Sequence, residues 1–182
     1  MKKVFPIAFV LLMLVQSCIS QQPAIQDYTK QTIVIPYQVK EVVIEDHRTD
    51  KLPMNWKLPV ISAKQFEVTG NPDFTEDDEH QLKEFIKQTQ NPEGAPSKIT
   101  LRLIEGSCKI YADWKQATEY AQVAVELEVE ELEGQNILKS NSEVFYEYNT
   151  LNALEKSVVK TYQTALKNAT HQSLVQLTKQ VK

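Results

Sequence analysis

Glycine is scarce in this chain, 4 residues in 182. That leaves little from which to build the glycine-rich loops whose backbone amides cradle phosphates. Neither a GxSxG nucleophile elbow nor a CxxC pair occurs. The three histidines, His47, His80 and His171, lack HExxH spacing and have no carboxylate at a fixed offset, so no metal site, cofactor motif or catalytic constellation is legible. Basic residues are outnumbered, 20 Lys and Arg against 24 Asp and Glu, for a formal charge of −4. Such a balance argues against an electrostatic nucleic-acid surface.

What remains is the composition of a globular chain with a real core: 42% hydrophobic and 24% charged residues, with 8 prolines. The length fits one ordinary domain behind a targeting segment. The N-terminus has the three parts of a secretory leader in order. Lys2 and Lys3 supply the basic start, an apolar run follows, and polarity returns at Gln16. The apolar run from Val4 to Val15 is 12 residues long and carries Pro6 in its first turn. A membrane-crossing helix needs roughly 20.

In "LVQSCIS", Ser17 places a small residue directly before Cys18, and Val15 lies three places before it. This stretch resembles the lipobox of bacterial lipoproteins, although Gln16 departs from the usual small or apolar residue. The resemblance implies cleavage after Ser17, with Cys18 becoming an acylated N-terminus that carries chains such as palmitate. Each buried methylene contributes about 0.8 kcal/mol, so several chains hold a protein on a bilayer without a spanning helix. Ile19, rather than an aspartate, follows Cys18, which leans the resemblance toward the outer membrane. An acylated Cys18 cannot form a disulfide with Cys108, the only other cysteine. Cys108 itself reads as a small, half-buried strand residue. Loss of Lys2 and Lys3 with the leader takes the charge to −6.

Residues 1–17 are thus expected to be the leader, 18–32 a polar tether, and 33–182 one folded domain. Tyr37 to Asp46 is rich in β-branched residues and reads as a first strand. "PVISAKQFEVTG" offers a second, ending at the "GNP" turn signal of Gly70 to Pro72. Thr75 followed by Asp78 predicts a capping box before a helix whose apolar face is Leu82, Phe85 and Ile86. The acidic run "EDDE" lacks the alternation and glycine of a calcium loop, so it reads as a solvated first turn favoured by the helix dipole.

"NPEGAPS" is the clearest break, and strand alternation follows it at Ile99, Leu101 and Leu103. "AQVAVELEVEE" alternates best, with Val123, Val125, Leu127 and Val129 on one face and Gln122, Glu126, Glu128 and Glu130 on the other. Gly134 marks the turn of a hairpin over 119–148. The C-terminal segment has no glycine or proline. It carries Leu154, Val158, Tyr162, Ala165 and Ala169 on one stripe, drifting to Leu174, Leu177 and Val181. A helix of about thirty residues would span roughly 45 Å. The sequon at Asn168 to Thr170 falls inside it, where glycosylation is not expected.

These elements predict an α+β fold: an antiparallel sheet of about five strands with one short helix and one long C-terminal helix packed on a face. The order, with Asp46-His47-Arg48 ending an early strand and a late hairpin before a terminal helix, is similar to small periplasm-facing lipoproteins. These include the auxiliary lipoproteins of ABC-type lipid transporters. The resemblance implies a lipid-anchored envelope accessory or scaffold protein without catalysis, joined to the membrane through Cys18 and to an envelope protein partner through a sheet edge or the Glu126, Glu128 and Glu130 face. The alternative is an auxiliary transport component that holds a lipid or other apolar ligand between the long helix and the sheet, against Leu154, Val158 and Tyr162. An enzyme would need His47 or Cys108 beside a second polar group in a cleft.

Overall fold

The computed structural model describes residues 32–51, 66–112, 117–134, 136–150 and 155–181. Cys18, the leader, all of the tether except its last residue, and Leu154 lie outside the described residues. Strands β1 (Tyr37–Asp46) and β2 (Phe66–Gly70) precede helix α1 (Glu76–Gln88). Strands β3 (Ala95–Ala112), β4 (Ala117–Glu131) and β5 (Ile137–Thr150) follow, and helix α2 (Glu155–Gln180) closes the fold.

The five strands form one sheet in the order β1-β3-β4-β5, with β2 also on β3. The α+β class and the mostly antiparallel sheet match the sequence reading, with one refinement: β1 and β3 run parallel. A parallel pair needs a long crossover, and the chain from Asp46 to Ala95, which includes β2 and α1, supplies it. β4 pairs with β3 along its whole length, so β1 and β2 share the opposite edge end to end. β1 lies beside Ala95–Leu103 and β2 beside Cys108–Ala112. A register shift between Leu103 and Glu105 marks the junction.

That bulge exchanges the faces of β3. Ile99, Leu101 and Leu103 point inward before it, and Cys108 and Ile110 after it, all at most 1% exposed. β3 also starts at Ala95, inside the segment that reads as a break. Gly94 allows this, because a Cβ there would lie 2.4 Å from the Pro36 carbonyl oxygen. The chain can cross β1 so closely only without a side chain.

Both helices lie on the inner face. The capping box of α1 forms as expected, with the Asp78 amide donating to Thr75 Oγ1 at 3.2 Å and the Thr75 amide to Asp78 Oδ2 at 3.0 Å. α2 packs on β4 and β5 through Val158, Tyr162, Ala165, Ala169, Leu174 and Leu177, all buried. Val181, expected on this stripe, is 46% exposed because the helix ends at Gln180. Its 26 residues span roughly 39 Å. Among the described residues no helix is long and apolar enough to cross a membrane.

Candidate functional site

With both helices on one side, the other side of the sheet carries no helix or strand among the described residues, and its chemistry divides into two halves. Over the N-terminal half of β3, Arg102 occupies the centre of a charge lattice. Its Nε donates to Glu45 at 3.1 Å, and one terminal nitrogen donates to Glu126 at 2.7 Å and Glu128 at 3.1 Å. Lys139 approaches Glu128 at 2.8 Å. Hydrogen bonds from Lys139, then Arg102, hold the Glu128 carboxyl below its usual range. The row Glu126, Glu128 and Glu130 is therefore no free acidic patch, since two of its three carboxylates are engaged by cations from neighbouring strands.

Over the C-terminal half of β3 the lattice gives way to an open groove of about 700 Å³. Tyr111, Tyr120 and Phe145 line it, with Thr69, Ser107, Lys109 and Gln122 supplying polar groups. The Tyr120 and Phe145 rings lie 5.6 Å apart at 34°, within the range of a favourable aromatic pair. Phe145 is nonetheless 65% exposed. Lys109, the charged residue of this lining, is paired with Glu67 at 2.8 Å, so the groove walls carry little net charge. A concave surface with exposed aromatic side chains is suited to contact with another molecule.

The sequence-derived candidates fall elsewhere. Arg48, 6% exposed, clamps Asp46 through Nε at 2.9 Å and a terminal nitrogen at 3.0 Å, and donates to the Pro72 carbonyl at 2.7 Å. It thus ties the end of β1 to the end of β2 at the bulge. Partial burial works against the Asp46 charge, but Arg48's hydrogen bonds outweigh it and bring the carboxyl to about 2. Gly106 lies beneath, where a Cβ would come within 2.8 Å of the Tyr162 hydroxyl and 3.2 Å of Arg48 Cδ. Asp46 and Arg48 thus form a structural ion pair at the end of a strand.

His47 points away to solvent, its Nε2 3.0 Å from Glu45. Cys108 is 1% exposed, and burial, with Glu119 adding to it, pushes its thiol up to about 12. A thiol so far from ionisation is a poor nucleophile. Among the described residues no group of three or more His, Cys, Asp or Glu side chains is placed to share a metal ion. The acidic turn of α1 is structural too, since Asp78 receives Gln163 at 2.8 Å and Asp77 receives Gln81 at 2.6 Å. Asn168 of the sequon is 1% exposed.

Where the alternative reading places an apolar ligand, between α2 and the sheet, Val158 and Tyr162 are each 1% exposed. The described seam between α1 and α2 leaves a cavity of about 10 Å³, room for no more than one water. Two features had no place in the sequence reading. The aromatic groove is assembled from four strands. Glu119 is fully buried on the inner face, where Thr161 donates to it at 2.8 Å. The inward parity of Glu119, two residues before Ala121, was the available signal.

The fold is a two-layer α+β architecture with a mixed five-stranded sheet. No protein-family model and no curated protein matches the chain. Two solved structures share part of its outline. One is a Caulobacter crescentus CB15 protein assigned provisionally to the lipoproteins, at TM-score 0.36 and 12% identity over 57% of this chain and 76% of the other. The other is a minor lipoprotein from Acinetobacter baumannii, at TM-score 0.32 and 12% identity over 82% of this chain and 92% of the other. Likenesses this distant carry no functional argument.

Proposed function

We propose that the chain is a lipid-anchored accessory protein of the bacterial cell envelope, held at the outer membrane by Cys18 and acting through binding of a partner protein, without catalysis. The observation that carries the binding part is the open sheet face, where Phe145 stands 65% exposed beside Tyr120 in a groove of about 700 Å³. Exposed aromatic residues in a concave patch are typical of surfaces that anchor partners. The anchoring part rests on Val15, Ser17 and Cys18 behind a 12-residue apolar run too short to span a bilayer.

Intact mass of the protein from its native membrane, beside a Cys18→Ala variant, tests the anchor. The expected result is a chain beginning at Cys18 with acyl additions, sedimenting with the outer membrane. In the variant the additions and the sedimentation are lost. A photo-crosslinking residue at Tyr120 tests the binding face, with one at Lys160 on the exposed side of α2 as control. An envelope protein captured at the first position and absent at the second supports the proposal. Equal capture, or none at Tyr120, rejects it.

A further inference from the structure

The described sheet ends at β5, and that edge differs from the opposite one. The opposite edge is divided between β1 and β2, and β1 has a register shift between Val39 and Glu41. β5 pairs with β4 over 14 residues without a register shift, and contains neither proline nor glycine. Among the described residues no strand pairs with this edge, and a long, regular unpaired edge is a template for another strand.

The phase of its hydrogen bonds is fixed by the hairpin. The Glu131 amide donates to the Asn136 carbonyl, which makes that opposed pair a bonded one. Bonded pairs alternate along an antiparallel ladder, so the even-numbered residues of β5 bond to β4. The amides and carbonyls of Ile137, Lys139, Asn141, Glu143 and Phe145 point outward. In agreement, the Lys139 carbonyl receives a hydrogen bond from Gln180 Nε2 at 3.1 Å, which an incoming strand must share or displace.

The side chains of these five residues share the open face and form a palindrome about Asn141. An antiparallel second β5 centred there places Ile137 opposite Phe145 of the second copy, and Lys139 opposite its Glu143. Asn141 meets itself. Each contact occurs twice by symmetry. Ile137 and Phe145 are exposed hydrophobic residues, at 56% and 65%, and each gains an apolar neighbour. Opposite charges and apolar pairs directly across a ladder each stabilise it.

We infer that a second copy of this chain docks on β5, antiparallel and centred on Asn141, to give a two-fold dimer with one continuous sheet. Both open faces then lie on one side, and each groove continues into Ile137 of the second copy. On the other side, α2 crosses from β4 and β3, where Thr161 meets Glu119 and Tyr162 meets Gly106, to β5, where Gln172 and Ser173 meet Ser142 and Ser140. The two-fold therefore brings the C-terminal halves of the two helices next to one another, so the helices share in the contact. The ladder alone is about 30 Å long, smaller than the interfaces of obligate dimers, so association depends on concentration. Tethering both copies to one bilayer would raise it, but the pairing does not require the anchor.

Sedimentation equilibrium of the full-length chain in density-matched detergent, up to about 100 μM, tests the inference. The expected result is a monomer–dimer equilibrium. Lys139→Glu and Glu143→Lys alone each weaken it by about tenfold or more, and together they restore it. A chain monomeric throughout overturns the dimer. Dimers indifferent to both single changes, or a double variant with a native melting curve that does not recover, overturn this register. Should a charge exchange fail to fold, Asn141→Lys sets two cations face to face on the two-fold axis. Persistence of the dimer in that variant also overturns the inference.

Discussion

At the scale of single residues, the chemistry that looks reactive is held out of reaction. Asp46, half-buried, and Arg48, buried, form a clamp, and the clamp has a pH signature. The Asp46 carboxyl falls from 3.8 to about 2 on folding, so its contribution is complete above the unfolded value. It is lost as pH falls through the folded value, between about pH 4 and about pH 2, and amounts to about 2 kcal/mol. Asp46→Asn leaves Arg48, 6% exposed, without its carboxylate and should cost about 3 kcal/mol near neutral pH. Urea midpoints across the acid range test both statements, because the variant should lose the part of the acid dependence that Asp46 supplies. Cys108 gives a second prediction. In a Cys18→Ala background it is the only thiol, and its rise from 9.0 to about 12 predicts alkylation roughly a thousandfold slower than in the unfolded chain. Comparable rates before and after unfolding would refute the burial argument.

At the scale of elements, Arg102 holds three strands together electrostatically. Glu45 is on β1 and Glu126 and Glu128 are on β4, all bonded to one side chain on β3. Arg102→Gln leaves three carboxylates without the cation that separates them. It should cost about 1 to 2 kcal/mol at low salt, with part of the loss recovered at high salt as screening relieves the repulsion. Equal losses at both salt concentrations would mean that packing, not charge, is at stake. Local patterns were the legible part of the elements. β1 begins and ends where its β-branched run does, the Thr75–Asp78 box caps α1, and the alternation from Val123 to Val129 faces the core as expected. Long-range pairing was not legible, because the partnership of β1 and β3 depends on a crossover that no local spacing records. The β3 bulge did leave a trace: inward residues change from odd positions at Leu101 and Leu103 to even ones at Cys108 and Ile110. The inner face of β5 was obscured by Ser140 and Ser142. Their hydroxyls donate to the Ser173 carbonyl and Gln172 Oε1 on α2, a satisfied polar contact where apolar residues would be expected.

At the scale of the whole molecule, the two sides of the sheet answer to different requirements, and neighbouring residues of β5 measure the difference. Val144, 8% exposed, points toward the helix layer opposite Val123, while Phe145, 65% exposed, points to the open groove opposite Gln122. Val144→Ser removes apolar contacts and inserts a hydroxyl into the core, which should cost about 2 to 3 kcal/mol. Phe145→Ser removes a larger side chain from a place where folding gains chiefly its pairing with Tyr120, and should cost no more than about 1 kcal/mol. Both are read from chemical denaturation in dilute solution, where association through β5 does not contribute. If the phenylalanine is the more costly loss, the groove belongs to the core and the open face is not a surface kept for binding. If the order is as expected, a large aromatic side chain stands largely in solvent while adding little to the stability of the monomer. Contact with another molecule is then the reason for its place.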